Sequence, residues 1–211
     1  MKITVTVMAH PKRKAAAEAL YAKLAKMPFH QCSITWDQRN SEWHTGKRAL
    51  KAHLTGDWHI VLQDDAIIPD NFYQEAVNAL QNVPVKTLVS FYTGTVRPLP
   101  GRVASAVRRA NEAGYCWLRG FLLFWGVGIA VPTDQILPML EYIAGRREPY
   151  DTRLGYFYMG NVLPILYTNP SLVDHDEDMG SLLDHGKHAE PRRAHNFISG
   201  PVQWNNQALD I

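Results

Sequence analysis

The chain has 211 residues, of which 46% are hydrophobic and 20% are charged, a balance typical of one globular domain with a full core. Its net charge of +2 is too small to indicate by itself a nucleic-acid or anionic-membrane partner. The two cysteines, Cys32 and Cys116, form no CxxC pair, so we expect buried thiols and no zinc site. The sequence shows no signal peptide and no apolar stretch of roughly 18 residues. We therefore expect a cytoplasmic protein without a membrane partner.

The first 94 residues alternate between strand and helix patterns. Runs of β-branched and apolar residues predict strands, and apolar residues at every third or fourth position predict helices. The predicted strands cover 3–10, 30–37, 58–65 and 85–94, and the predicted helices cover 12–27, 45–56 and 69–83. This alternation predicts an α/β fold whose strands are joined by right-handed parallel crossovers.

The rest of the chain is less regular. We predict a basic helix within 96–115, one or two glycine-interrupted strands within 116–132, a helix over 133–146 and strand character within 162–175. The segment 150–161 starts with an acid and is mostly aromatic. We expect the polar residues 176–211 to be loop-like and to lie on the surface of the same domain.

Two adjacent carboxylates, Asp64 and Asp65, end the apolar run WHIVLQ. Like His10 and Asp37, they fall at the carboxyl end of a predicted strand, where ligands bind in open α/β sheets. Carboxylate oxygens suit Mg²⁺ or Mn²⁺ that also binds substrate phosphates. Because adjacent residues of an extended chain point in opposite directions, one acid can bind the metal while the other orients a sugar or a loop. The alternative is a structural pair that caps the turn before the helix at Pro69.

Five segments, taken in order, resemble those of glycosyltransferases with the GT-A fold. They read VTVMAHPKR, ITWDQRN, GKRALKAHLTGDWHIVLQDDAIIPDNF, YDTRLGYFYMG and TNPSLVDH. The run VLQDDAIIPDNF is similar to the Glu-Asp-Asp motif of the lipopolysaccharide glycosyltransferases, with Gln63 in place of the Glu. The resemblance implies a Rossmann-type αβα sandwich with a mostly parallel central sheet over residues 1–175. Its nucleotide-binding half would end near residue 94, its acceptor half would follow, and the tail 176–211 would pack on the same domain.

The resemblance also implies a transferase that uses a nucleotide-diphosphosugar, a UDP-sugar first of all, together with Mn²⁺ or Mg²⁺. Asp65 matches the direct metal ligand of the family, and Asp64 matches a residue that contacts ribose, sugar or metal. The other implied donor-site residues are His10, Pro11, Arg13, Asp37, Lys47 and Arg48. The alternatives are a capping role for His10 and a solvated helix face for Lys47 and Arg48.

Two later residues complete the implied site. His175 follows a short apolar strand, at a position from which GT-A enzymes often supply a metal ligand. Asp151 fits the position of the catalytic base that inverting enzymes need, although Tyr150 precedes it where the family usually has Glu. A helix N-cap is the alternative for Asp151, and a retaining enzyme needs no such base. Gly126 and Gly128 either let a ligand approach the backbone or mark a bulged, buried strand.

Three functions are open at this point. The first is a metal-dependent glycosyltransferase, the second a metal-dependent phosphohydrolase or nuclease, and the third a nonenzymatic nucleotide-binding protein. The order of the motifs favours the first. Its acceptor would be a hydroxyl of a glycan, a protein or a hydroxylated DNA base. Four basic residues indicate either contacts with DNA phosphates or a solvated basic helix: Arg102, Arg108, Arg109 and Arg119.

Overall fold

The structure, a computed structural model, describes residues 1–96, 98–179 and 192–211. The strands among these residues are β1 (Ile3–Ala9), β2 (Gln31–Trp36), β3 (Trp58–Gln63), β4 (Ala66–Ile67), β5 (Leu88–Ser90), β6 (Trp117–Gly120), β7 (Gly128–Pro132), β8 (Ile165–Thr168), β9 (Asp174–His175) and β10 (Ala208–Asp210). The α-helices are α1 (Lys14–Leu24), α2 (Glu42–Leu50), α3 (Phe72–Leu80), α4 (Pro100–Ala113), α5 (Thr133–Tyr142) and α6 (Tyr150–Gly160). A 3-10 turn, Pro11–Arg13, joins β1 to α1. No helix in the described ranges is both long and apolar enough to cross a bilayer.

One large sheet forms the centre of the molecule. Its described strands follow the order β10-β6-β8-β5-β7-β3-β1-β2. β1, β2, β3, β5 and β8 run in one direction, and β6, β7 and β10 run in the other. The predicted α/β class with a large, mostly parallel central sheet is confirmed. β4 and β9 pair with each other outside this sheet.

Helices cover both faces of the sheet. On one face, α1 and α3 bury Leu20, Leu24 and Phe72 against β1 and β3. On the other face, α2, α4, α5 and α6 build a second apolar core around strands β5 to β8. The sheet is therefore the middle layer of an αβα sandwich.

β1 shows how the alternation of residue types is used. Ile3, Val5 and Val7 are fully buried in the apolar core on the side of α1 and α3. Thr4 and Thr6 point to the opposite face because side chains alternate along a strand. There, Oγ1 of Thr4 lies 2.8 Å from Nδ1 of His59, whose pKa burial lowers to about 4. This polar layer under α2 is structural and lies apart from the acidic pair.

The boundaries of two predicted helices need correction. α2 begins at Glu42, before the predicted start at residue 45, because the Ser41 side chain accepts a hydrogen bond from the His44 backbone N–H and caps the helix there. It also ends at Leu50 and does not reach residue 56. α3 begins only at Phe72, after the predicted start at Pro69.

The tail was expected to be loop-like, and its described end is not. Residues 208–210 form β10, which extends the sheet beside β6. The aromatic side chains explain this packing: Trp117 donates from Nε1 to the Asn205 carbonyl at 2.7 Å, and Trp204 donates from Nε1 to Glu75 at 2.9 Å. A tail that buries such groups joins the fold of the domain. Residues 180–191 lie outside the described residues.

Candidate functional site

The acidic pair lies in the turn directly after β3. Asp64 and Asp65 are only 6% and 5% exposed. The predicted strand 58–65 included both acids, whereas β3 ends at Gln63 and the two carboxylates lie buried just beyond it. Two buried, adjacent charges need compensation, since an unpaired charge in such a place is strongly destabilising.

Arg13 supplies part of this compensation, while burial still raises the pKa of Asp64 above its ordinary value. Its Nη1 atom lies 2.9 Å from Oδ1 of Asp64 and 2.6 Å from Oδ2 of Asp65, so one guanidinium bridges both acids. The His10 backbone N–H also donates to Oδ2 of Asp64 at 2.7 Å. Both donors come from the turn after β1, which is the parallel neighbour of β3 in the sheet.

His175 approaches Asp65 through the small second sheet. β4 follows the acids directly, and its Ala66 pairs with His175 of β9. The Asp176 backbone N–H also donates to the Asp65 carbonyl at 2.8 Å. As a result, Nε2 of His175 lies 3.2 Å from Oδ2 of Asp65. Burial alone would raise the pKa of Asp65, but His175 and Arg13 outweigh it and hold that pKa below its ordinary value.

These groups line one cavity of about 450 Å³ at the carboxyl ends of β1 and β3. It brings together seven of the residues that the sequence singled out: His10, Arg13, Asp37, Asp64, Asp65, Asp151 and His175. A volume of this size is typical of a small-molecule site. Seven of the ten predicted site residues therefore meet at a single cavity, and their roles stay predictions.

Three other candidates do not line it. Pro11 begins the 3-10 turn and only positions its neighbours. Lys47 is exposed on α2. Arg48 lies on the same helix, where its Nη1 donates to the Trp36 carbonyl at 2.8 Å. The structure gives no support for a role of these three side chains at the nucleotide.

Asp37 lies where β2 ends and organises the loop that follows. Its carboxylate accepts hydrogen bonds from the backbone N–H groups of Arg39, at 2.8 Å, and Ser41, at 3.0 Å. Burial would raise the pKa of Asp37, but these hydrogen bonds outweigh it and lower that pKa. Asp37 therefore stays ionised and fixes the loop in which it faces the cavity.

A second pair of acids was only half anticipated. Asp151 lies in the first turn of α6, and Glu42, which sequence reasoning missed, lies in the first turn of α2. Both line the cavity. Burial, and next the charge of Asp151, raise the pKa of Glu42 to about 7, although the Glu42 carboxylate accepts a hydrogen bond from the Tyr150 backbone N–H. Glu42 follows β2 at the ligand-binding edge, and that placement is the pattern that would have found it.

Close packing of Tyr150 brings these two helix starts together. The Tyr150 ring is fully buried and lies against Gly46 of α2 on one side and Gly126 on the other. A Cβ atom on Gly46 would collide with the ring, and a Cβ on Gly126 would lie 3.1 Å from Cδ1. Gly128 has a different reason, since it makes room for Val173 and Leu62 in the core. Gly126 thus shapes the cavity, whereas Gly128 serves packing.

The cavity also has an aromatic wall. Tyr92 and Trp125 pack edge to face with ring centroids 5.8 Å apart, and Phe124 lies next to Trp125. All three line the cavity. Rings placed beside polar groups are suited to stack on a base or a sugar.

The donor atoms around Asp65 fit a hard divalent cation. Oδ1 of Asp65 and Nδ1 of His175 are buried and have no hydrogen-bond partner among the described residues. Within the same ranges no cluster of three or more His, Cys, Asp or Glu side chains forms a complete metal site. Mg²⁺ and Mn²⁺ commonly take one or two protein ligands and complete their shell with phosphate and water oxygens. Oδ1 of Asp65 is an oxygen ligand of this type, and Nδ1 of His175 is a second donor atom, on the ring whose Nε2 faces Asp65.

The basic residues on α4 and β6 lie elsewhere. Arg102, Arg108 and Arg109 are exposed, as expected for a solvated helix face. Arg119 forms a two-point ion pair with Asp210, at 2.6 and 3.0 Å. None of these four side chains lines the acidic cavity.

No family model matches the sequence, and no curated protein matches it. Among solved structures, the chain resembles the mannose-1-phosphate geranyltransferase of Thermus thermophilus. The two sequences are 13% identical, the match covers 80% of this chain and 74% of the other, and the TM-score is 0.39. A likeness of this degree says nothing about what the chain binds or catalyses.

Proposed function

We propose that this protein is a metal-dependent glycosyltransferase that moves a sugar from a nucleotide-diphosphosugar to an acceptor hydroxyl. One observation carries the proposal: a buried Asp-Asp pair lies at the end of a central strand, with His175 beside Asp65, in a cavity that also contains Asp37 and Asp151. Phosphate ligands, a divalent cation and an acceptor each find a suitable group there.

The residues of the chain divide the work of the transfer. Asp37 and the aromatic wall lie where the nucleoside would bind, and Arg13 supplies positive charge beside the acids. Bound to Asp65 and His175, Mn²⁺ or Mg²⁺ would neutralise the diphosphate leaving group. Asp64, held by Arg13 and the His10 backbone, would orient the donor.

In the reaction, the acceptor oxygen forms a bond to the anomeric carbon of the sugar, and the bond from that carbon to the phosphate oxygen breaks. The nucleoside diphosphate leaves with the bonding electron pair. Asp151 accepts the proton of the acceptor hydroxyl as a general base. Glu42, the neighbouring acid with a pKa of about 7, is placed to share that proton.

The test is thermal stabilisation by UDP-, GDP- and other sugar nucleotides, with and without Mn²⁺, because a ligand that binds the native state raises the melting temperature. We expect one donor to stabilise the protein only when Mn²⁺ is present. Asp65→Asn should abolish that dependence. Asp70→Asn is the matched control, since Asp70 is a fully exposed acid five positions further on that pairs with Lys23.

A second step identifies the reaction. Transfer to glycan, peptide and hydroxylated-DNA acceptors is followed by release of nucleoside diphosphate, with Asp151→Asn as the variant that should lose transfer and keep donor binding. Phosphate release from phosphoesters in the absence of any sugar donor would refute the glycosyltransferase and indicate a phosphohydrolase. Donor binding that does not depend on Mn²⁺ would show that Asp65 and His175 do not hold a metal ion.

A further inference from the structure

A second cavity adjoins the acidic one, and its lining is mostly apolar. Its volume is about 470 Å³, and Arg102 is the charged side chain at its edge. The start of α4, the β6–β7 connection and the end of α6 contribute its main apolar side chains: Leu99, Val103, Phe121, Leu122, Met159 and Val162.

Two of these side chains occupy backbone positions that disfavour them. Val162 is 77% exposed and has a φ of 55°, and Leu99 is 51% exposed and has a φ of 57°. Val162 is the residue just after the cap of α6, where the Leu163 backbone N–H donates to the Tyr158 carbonyl in the usual helix-ending pattern. Glycine or asparagine suits that position, and a β-branched residue does not. Val162 therefore holds an exposed apolar side chain at a disfavoured backbone position on the wall of the cavity.

The two cavities share a wall. Phe124 lines both of them, and the consecutive residues Pro98 and Leu99 line the acidic and the apolar cavity respectively. The two cavities therefore meet at Phe124 and at the Pro98–Leu99 segment.

Arg102 is the charged side chain among the residues that line the apolar cavity. Arg102 is exposed, and within the described part of the chain neither it nor Arg108 nor Arg109 forms an ion pair. Arg119, by contrast, is neutralised by Asp210. A guanidinium at the mouth of an apolar cavity complements a ligand that joins an anionic group to a hydrocarbon chain.

We propose that the apolar cavity binds the hydrocarbon chain of an anionic single-chain amphiphile, with Arg102 at the anionic group. A concave space of this volume suits a chain better than the broad, flatter surface that a protein partner buries. The amphiphile would be the acceptor of the transferase. This acceptor role rests on the proposed function. Binding in the cavity does not depend on it.

In the experiment, the full chain is titrated with dodecyl phosphate below its critical micelle concentration, and the heat of binding is measured by calorimetry. Inorganic phosphate tests the charged group without a chain, and dodecyl maltoside tests the chain without a charge. We expect dodecyl phosphate to bind most tightly. Arg102→Gln should weaken its binding about tenfold, the loss of one charge-assisted hydrogen bond. Arg108→Gln, on the same helix but outside the cavity, is the matched control and should bind like the wild type.

Val162→Gly separates binding from folding. Glycine suits the positive φ, so the melting temperature should not fall, while the lost valine side chain should weaken dodecyl phosphate binding about tenfold. The proposal is overturned if dodecyl phosphate binds no better than phosphate, or if Arg102→Gln and Arg108→Gln bind it equally. A wild-type dimer that Val162→Gly dissociates would also overturn it, since a second copy would then fill the cavity.

The outcome for the cavity is separable from that for the transferase. Amphiphile binding without any Mn²⁺-dependent sugar-nucleotide binding would support the cavity and overturn the proposed function. Donor binding without amphiphile binding would refute the proposed ligand of the apolar cavity and leave the proposed function unaffected.

Discussion

Replacing Gly46 by alanine should damage the fold and the candidate site together. Gly46 lies inside α2, and a Cβ atom at this position would come closer to carbons Cδ2 and Cε2 of Tyr150 than real Cβ atoms come to any neighbour. The Tyr150 ring cannot move away, because it is fully buried and Gly126 lies close on its other side. The new methyl group would therefore force α2 and the start of α6 apart.

The expected magnitude follows from two opposed effects. Overpacking of a rigid site costs about 3 kcal/mol, at the upper end of the usual range, because the ring has no free space beside it. Alanine in place of glycine within a helix returns about 1 kcal/mol. The free energy of unfolding should thus fall by about 2 kcal/mol. Mn²⁺-dependent donor stabilisation should weaken as well, since Tyr150 adjoins Asp151 and its backbone N–H binds Glu42.

Urea unfolding of Gly46→Ala and of the control Gly101→Ala checks this. Gly101 lies in α4, and a Cβ atom added there would have nothing within 4 Å, so its substitution should be neutral or stabilise by up to about 1 kcal/mol. The two variants should differ by about 2–3 kcal/mol. If Gly46→Ala were as stable as Gly101→Ala, the close approach of α2 and α6 through Tyr150 would be refuted.

Three further predictions concern buried charges and the tail. Arg13→Met should lower the free energy of unfolding at pH 7 by about 3 kcal/mol, because it leaves buried acids without their cation. This deficit, measured by urea unfolding, should shrink as the pH falls toward and below 3.8, the ordinary pKa of Asp65, because protonation removes the charges; a deficit that does not change with pH would contradict the ion pair. The pKa of Glu42 rises from 4.5 to about 7 on folding, so the wild type should lose up to roughly 3 kcal/mol between these pH values as the acid ionises. The Glu42→Gln variant should lack this loss, so its free energy of unfolding should rise relative to that of the wild type as the pH rises. Parallel pH profiles of the unfolding free energy for the two proteins would refute the raised pKa of Glu42. Trp204→Phe should cost about 1–3 kcal/mol because it removes the donor to Oε2 of buried Glu75 and leaves, among the described residues, only Asn71, which donates to Oε1. An unchanged melting temperature would show that the tail does not pack there.

Local patterns explain why the first half of the fold was predictable. Ile3, Val5 and Val7 alternate with threonines, and Leu20 and Leu24 recur at helical spacing, so each element carries its own signature. The insertion of β7 between β3 and β5 has no such signature. It depends on pairing between segments far apart in the chain, which composition does not encode.

The second half shows the same division. α6 contains Tyr156, Phe157 and Tyr158, whose helix propensity is modest, and tertiary packing decides its conformation. β10 forms because the sheet edge at β6 and the indole groups nearby accept the tail. Neither neighbour can be recognised from the tail sequence alone.

For the candidate site, the sequence indicated where the acidic residues lie better than which side chains they contact. Asp64 and Asp65 were recognisable because charges follow an apolar strand. The bridge from Arg13 to both acids depends on β1 lying next to β3, and the pairing of Glu42 with Asp151 depends on two helices meeting around Tyr150. These relations arise only when the chain is folded.

The pairing of Ala66 with His175 also makes the site depend on a segment far along the chain. During synthesis, Arg13 and both aspartates leave the ribosome long before His175, so the ion pair can form in the early part of the domain while β9 is still absent. The distant strand therefore adds His175 to two acids that already share one cation, and its arrival closes a very long loop. Local opening of β4 from β9 in the finished protein would withdraw the histidine and leave that early ion pair intact.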